Sequence, residues 1–238
     1  MMEIIDFHSH VLPGIDDGSR NIETSMNMLA EEKRQGIDVV VATPHFYAWR
    51  NRIERFLDAR RETAVALREA LASEGKEGRY PDFVVGAEVA YFRGIGMADI
   101  LKYLTIEGTK TLLIEMPMEE WSESYVEDLR LMKRSGYRVV LAHVERYMGE
   151  KRNVKYIERL IDEGFIMQIN AATLMKWPGN GKYLKMFKKG DAHLLGSDAH
   201  GMNHRPANIG EGREMIEKKC GAGVLREIDA LGSSLINR

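Results

Sequence analysis

Seven short apolar runs, most of them closed by a histidine or a carboxylate, constrain this chain more than anything else in it. They are Glu3–His8, Asp38–Thr43, Phe83–Glu88, Thr111–Glu115, Arg138–His143, Phe165–Asn170 and His193–Ser197. Each is brief and rich enough in aliphatic and β-branched residues to be a parallel strand buried on both faces. Helical patterns lie between most of them and stop at glycine. Ile22–Gln35 has Asn21 as its N-cap and Gly36 as its stop; Glu123–Ser135 precedes Gly136, and Val154–Glu163 precedes Gly164. Arg52–Ser73 is longer and charge-laced, and helices over Ala207–Lys219 and Ala222–Leu235 follow the last strand. This is the rhythm of βα units.

The less regular segments are few. Ala90–Gly108 is expected to hold a short helix around Met97–Tyr103, and Glu74–Pro81 to be a polar loop. With no linker rich in Pro, Gly or Ser, residues 1–238 read as a single domain. A seven-stranded parallel sheet is either open and doubly wound or closed into a barrel. An open sheet concentrates its ligands at one switch point, whereas a barrel brings every strand's C-terminal end to one mouth. Site-type residues end nearly all the strands here, so the expected fold class is an α/β barrel.

Composition excludes more than it identifies. A net charge of −2 gives no global basic footprint for nucleic acid. No apolar run approaches the roughly 18–20 residues of a membrane span, so no membrane insertion is expected. The first strand begins too early for a signal peptide, and the lone Cys220 cannot form an internal disulfide. Cytoplasmic localisation is the expectation.

The strand ends carry the chemistry. His8 and His10 are two apart, so strand alternation turns them the same way, as a pair that can grip one ion. Asp16-Asp17-Gly18 follows in a loop, where either carboxylate could swing over the mouth. Pro44 keeps Thr43 extended just before His45. Glu88, Glu115 and His143 end later strands, and Asp198 and His200, again two apart, close the set. With Asp17 that makes nine candidate ligands, too many for one tetrahedral zinc and natural for two or three divalent ions sharing bridging carboxylates.

Five phrases carry a family resemblance: Asp6-Phe-His-Ser-His-Val-Leu-Pro-Gly-Ile-Asp-Asp-Gly, Ala42-Thr-Pro-His, Gly86-Ala-Glu, Ala142-His-Val-Glu-Arg-Tyr and Ser197-Asp-Ala-His. In that order they resemble the polymerase-and-histidinol-phosphatase (PHP) superfamily of metal-dependent phosphoesterases. More narrowly, they resemble the CpsB/YwqE-type bacterial protein-tyrosine phosphatases of capsular polysaccharide. The resemblance implies a distorted seven-stranded β/α barrel holding two or three divalent ions, manganese first, with iron, zinc, magnesium or cobalt as alternatives. It implies that Glu88 bridges while the other eight residues share the ions, and that Arg146 and Arg205 hold the phosphate. The implied substrate is a phosphotyrosine protein, a membrane-associated tyrosine autokinase of polysaccharide export, and a homo-oligomer is compatible with it. Phe46 departs from the family's usual second histidine, and Val144 from its usual proline; Phe46 is therefore expected to reshape the pocket's lip.

The chemistry agrees with the resemblance. Clustered cations lower the pKa of a bound water and clamp phosphoryl oxygens, and arginine adds bidentate bonds to the non-bridging oxygens. Competing readings are a phosphatase of a small phosphomonoester such as histidinol phosphate, a phosphodiesterase, or a silent binding partner that keeps metal for structure. Arg146 and Arg205 read also as surface ion-pair formers. His193 starts a strand, far from the mouth, and His204 reads as a loop histidine. Phe46, Tyr47 and Trp49 either cradle a phosphotyrosine ring or pack on a neighbouring loop. The arginines of Arg52–Glu69 read as a solvated face. Cys220 and Arg226 have the Cys-x5-Arg spacing of thiol-dependent phosphatases, but Cys220 ends a helical run rather than a strand, so its thiol lacks the phosphate loop that would lower its pKa.

Overall fold

The computed structural model describes residues 2–75 and 78–238. Lys76 and Glu77, within the polar loop expected at Glu74–Pro81, lie outside the described residues. Nine strands occur among those described: β1 Ile5–Ser9, β2 Val39–Ala42, β3 His45–Phe46, β4 Asp82–Val85, β5 Glu88–Ala90, β6 Thr111–Glu115, β7 Arg138–Leu141, β8 Ile166–Asn170 and β9 Leu194–Gly196. The helices are α1 Ile22–Arg34, α2 Ile53–Ser73, α3 Glu123–Arg134, α4 Lys151–Asp162, α5 Ala171–Leu174, α6 Gly181–Lys189, α7 Ile209–Cys220 and α8 Ala222–Leu235. All strand pairings are parallel, in the orders β1-β2-β4 and β3-β5-β6-β7-β8-β9.

The expected count of seven strands is corrected to nine because two expected runs break in the middle. Pro44 has no N–H to give a ladder, so the second run stops at Ala42 and resumes at His45. The third breaks at Gly86-Ala87, where a Cβ on Gly86 would lie 3.1 Å from Ile106. After each break the chain changes partners, from the first sheet to the second. The first and last strands also meet: Asp198 N donates to His8 O at 2.7 Å, and His10 N to Ala199 O at 2.9 Å.

Strand β1 is less regular than alternation predicts. Its pairing with β2 slips between Asp6 and Ser9, and an extra residue in one strand changes which face its side chains take. Asp6 therefore meets Glu32 of α1, whereas His8 turns to Gln168 and Glu88. One apolar cluster gathers Phe7, Val39, Val41, Leu113, Val140 and Leu194 between the strands, and α8 closes it with Leu235 and Ile236. A larger one packs the opposite strand faces against the helices, through residues such as Leu29, Leu67, Leu129 and Leu160.

Helix boundaries follow side-chain anchors. Asn21 Oδ1 caps α1 by accepting from Thr24 N at 2.9 Å, and Gly36 follows the helix at φ +85°, as its sequence implies. Helix α4 starts three residues before the expected Val154, because buried Asn153 sits in its first turn and accepts from Trp121 N at 2.7 Å. Helix α7 starts after the expected Ala207, because Gln35 clamps that entry, donating to Ala207 O and accepting from Gly210 N. Arg60 corrects the reading of α2 as a solvated face, since its guanidinium donates to Gly86 O at 3.0 Å and Tyr103 O at 2.8 Å.

Glu32 is buried in α1 against the carboxyl group of Asp6. Burial, then the charge of Asp6, pushes its pKa well above the ordinary value. A pKa raised on folding gives stability that is complete below the unfolded value and is lost as pH rises through the folded one. Glu32→Gln should therefore raise the melting temperature at pH 8 by about 2–4 °C, the shift of ~1 kcal/mol in a chain this size. The gain should shrink toward pH 5, and melting curves across that range that stay parallel for both proteins would contradict it.

Candidate metal centre

The strand ends deliver a compact donor cluster. Glu88, fully buried at the start of β5, is its hub: Oε2 lies 3.3 Å from both His8 Nε2 and His10 Nε2 and 2.8 Å from His45 Nδ1, and Oε1 lies 2.7 Å from His143 Nε2. Asp198 Oδ1 sits 3.6 Å from His8 Nε2 and 3.4 Å from His10 Nε2. Glu115, at the end of β6, approaches His143 Nε2 at 3.7 Å. Asp17 Oδ1 is 3.6 Å from both His45 Nε2 and His200 Nε2, on a side chain that is 72% exposed. All nine residues expected from the sequence thus converge, with Asp17 at the solvent rim.

The surrounding groups fix which ring nitrogen faces inward. The amide oxygen of Gln168 can only accept, so at 3.2 Å it takes the proton of His8 Nδ1. The same oxygen accepts from His143 N at 2.8 Å. Asp16 accepts from His10 Nδ1 at 2.8 Å, and also from Gly18 N and His45 N. The two neighbouring carboxylates differ in surroundings: Asp16 orients His10, while Asp17 lies at the rim facing His45 and His200. Gly18 permits that loop, since a Cβ there would lie 2.4 Å from His10 O. A partner on the outer nitrogen of an inward-facing imidazole is the usual support of a metal-binding histidine.

This arrangement fits divalent cations. With both Nδ1 atoms protonated, His8 and His10 face each other through Nε2 across 3.1 Å, a contact that needs either a proton or a metal cation between the two nitrogens. Glu88 Oε2 and Asp198 Oδ1 are buried with no hydrogen-bond donor, a costly state for carboxylate oxygens unless a cation compensates it. Four overlapping triads keep their donor atoms within 4.8 Å of one another: His10/His45/His200, His8/His10/Asp198, His8/Glu88/His143 and His45/Glu88/Glu115.

Charges inside the cluster perturb one another. Burial, then the neighbouring Glu88, pushes the Glu115 pKa up to about 7. Burial, then His10 and Arg205, pushes His200 down to about 4, leaving it a neutral imidazole at physiological pH. Burial opposes ionisation of Asp198, yet His8 and His10 hold it well below the carboxylate range.

Arg146, from a one-turn 310 helix at Val144–Arg146, and Arg205 both ion-pair with Asp198 Oδ2. Asn170 Nδ2 donates to the same oxygen at 2.8 Å. Both arginines are about one-third exposed and line a cavity of about 610 Å³ that runs outward past Asn170, Thr173, Lys176, Lys182 and Tyr183. His143, Asp198 and Arg205 have φ of 33°, 53° and 51°, in the left-handed region that costs a non-glycine residue energy.

Sequence reasoning missed three supporting residues. Gln168 and Asn170 stand two apart at the end of β8, the spacing that marked His8/His10 and Asp198/His200. Tyr147, whose hydroxyl accepts from Met116 N at 2.9 Å and meets His143 Nδ1 at 3.1 Å, follows that histidine by one helical turn. Several expectations are corrected or settled. Phe46 does not form the lip; it is fully buried, edge-on to Phe56 at 5.0 Å. Tyr47 does stand at the site, stacked on His45 at 5.1 Å. His193 accepts from Met167 N at 3.0 Å, and His204 is exposed.

Cys220 ends α7, and its thiol donates to Leu184 O at 3.3 Å. Burial pushes that thiol up rather than down, the reverse of what a nucleophilic cysteine needs. Cys220→Ser should leave turnover within about twofold of wild type, in line with a substitution outside the chemistry. A metal-loaded but inactive Cys220→Ser protein would overturn that assignment.

A parallel α/β protein with a histidine–carboxylate cluster gathered from the ends and breaks of its strands and two arginines beside it is of the metal-dependent hydrolase class. The family described as capsular polysaccharide synthesis, CpsB/CapC, matches residues 4–234, and this chain belongs to it. It is 30% identical over 236 residues to the tyrosine-protein phosphatase CpsB of Streptococcus pneumoniae, covering 94% of each chain. It is 31% identical over 230 residues to the tyrosine-protein phosphatase YwqE of Bacillus subtilis, covering 92% of this chain and 86% of that one. A solved structure from work on YwqE and CpsB, described as unique metal-dependent tyrosine phosphatases, superimposes with a TM-score of 0.86 at 27% identity, covering 98% of this chain and 94% of the other. A phosphotriesterase homology protein from Escherichia coli, 13% identical with a TM-score of 0.56, shares the fold. Among the described residues, no helix is long and apolar enough to cross a membrane.

Proposed function

We propose that this chain is a metal-dependent protein-tyrosine phosphatase. Its substrate in this reading is a membrane-associated tyrosine autokinase of capsule or exopolysaccharide synthesis, met in the cytoplasm. The observation that carries the reading is the convergence on Asp198, a member of the donor cluster, of Arg146 and Arg205, which also line the cavity. The relatives' activity supports it. Counting β2 with β3 and β4 with β5 as single interrupted strands makes the scaffold a distorted seven-stranded barrel.

His8, His10, Asp17, His45, Glu88, Glu115, His143, Asp198 and His200 would hold two or three divalent ions, manganese first, with Glu88 at the hub of the set. Such ions supply hydroxide at neutral pH and positive charge for phosphoryl oxygens. The chain's own residues do the rest. Gln168 and Asp16 lock the orientation of His8 and His10, and Asn170 holds Asp198 in place. Arg146 and Arg205 take the non-bridging phosphate oxygens by bidentate hydrogen bonds that strengthen as charge builds. The phenolate of tyrosine leaves well enough that no dedicated acid is required. Tyr47, against His45, offers a face for the substrate ring.

The test is a substrate panel with manganese-loaded protein: phosphotyrosine and phosphoserine peptides, histidinol phosphate and a phosphodiester. Phosphotyrosine should be turned over with the highest kcat/KM. A preference for histidinol phosphate would replace this reading with a small-molecule phosphatase, and no turnover at all would favour a silent binding protein.

A further inference from the structure

The loop between α5 and α6 separates the catalytic cavity from a second groove. Lys176, Pro178 and Gly179 face the first, while Met175, Trp177 and Asn180 face the second, which has a volume of about 600 Å³. Leu184, Met215 and Cys220 give the groove an apolar floor, and the exposed Lys185, Lys188, Lys218 and Lys219 surround it. Among the described residues, no carboxylate lines it. Trp177, 85% exposed, stands on the groove side of that loop. The bias extends beyond the groove: residues 171–190 hold five lysines and no Asp or Glu, in a chain whose net charge is −2. The core packing of α6 explains Tyr183, Leu184, Met186 and Phe187. It explains neither the lysines nor a large aromatic side chain left in water.

We propose that this groove binds an acidic segment of the phosphoprotein substrate, with an apolar or aromatic side chain seated beside Trp177, a few residues from the phosphotyrosine. The proposal rests on the tyrosine-phosphatase reading and adds a second point of contact to it. Two observations select a peptide as the occupant. Charge complementarity calls for an anionic partner, and the groove continues the catalytic cavity across adjacent residues of one loop. A peptide whose phosphate lies on Arg146 and Arg205 and that follows the cavity outward past Lys176 crosses that loop into the groove. Lysines on the rim add long-range attraction that salt screens, and the tryptophan supplies the desolvated anchor.

The test compares the manganese-loaded full chain with its Lys185→Glu/Lys188→Glu and Trp177→Ala variants. Substrates are a long acidic phosphotyrosine peptide with an aromatic residue on its flank, a phosphotyrosine tripeptide, and p-nitrophenyl phosphate. For each variant KM on the long peptide should rise roughly tenfold, the size of a typical anchor loss, with kcat and both small substrates unchanged. An equal KM for wild type and variants on the long peptide overturns the proposal. Loss of phosphatidylserine-vesicle binding with an unchanged long-peptide KM overturns it in favour of a lipid surface. Fluorescence anisotropy of the same peptide carrying unphosphorylated tyrosine separates the groove from the activity. Salt-sensitive binding that the double variant loses supports the groove even if no phosphotyrosine substrate is hydrolysed, an outcome that would sink the phosphatase reading alone.

Discussion

Glu88→Gln is expected to lose most bound divalent metal and to lower phosphotyrosine turnover by at least ~10³-fold. Glutamine keeps the volume of the buried hub and its place at the start of β5, so the substitution removes charge and little else. Four histidines lie within 3.3 Å of that carboxylate, and two of the four donor triads include it. Its loss leaves the imidazoles without the anion that gathers cations among them, an effect larger than the loss of any rim residue. Metal content by inductively coupled plasma mass spectrometry, read beside turnover, checks this. A variant that retains both metal and activity would show that the donor cluster is not the catalytic centre.

Arg205→Ala should behave differently, lowering kcat by about 10²–10³-fold, the usual cost of one oxyanion donor, while metal content stays near wild type. Arg205 bonds Asp198 and His200 in this structure, so its removal frees donor atoms rather than taking any away. Arg205→Lys should recover little, because a compact ammonium cannot give two parallel hydrogen bonds to a phosphate. Single-turnover kinetics with metal quantified in the same samples separates the two outcomes. Metal loss in step with activity would assign Arg205 to maintaining the cluster rather than to binding phosphate.

The sequence reveals the convergence of charged site residues because strand periodicity is local, and most ligand-type side chains stand at, or within three residues after, the end of an apolar run. It reveals the supporting groups less well. Gln168 and Asn170 carry no charge, so nothing in the chain separates them from ordinary strand residues until His8 and Asp198 are seen beside them. Asp16 and Asp17 are indistinguishable on paper; the turn through Gly18 decides which of them faces His10. Phe46 misleads because adjacency to His45 says nothing about side-chain direction, and alternation sends it into the core. The breaks at Pro44 and Gly86 belong to the same class, since a proline or glycine marks the place but not the change of strand partner. The helices α5 and α6 follow no long periodic run, yet they wall the cavity onto which both arginines open.

Asp6 and Ser197, hydrogen-bonded where β1 meets the last strand, are 191 residues apart in sequence. During synthesis, every other strand must leave the ribosome before that seam can close. The donor cluster straddles it, so a nascent chain lacks Asp198 and His200 until its last strand emerges and cannot offer a metal the full donor set before then. Metal-depleted protein should therefore regain activity when divalent ions are supplied after synthesis is complete, with no need for the ion during it.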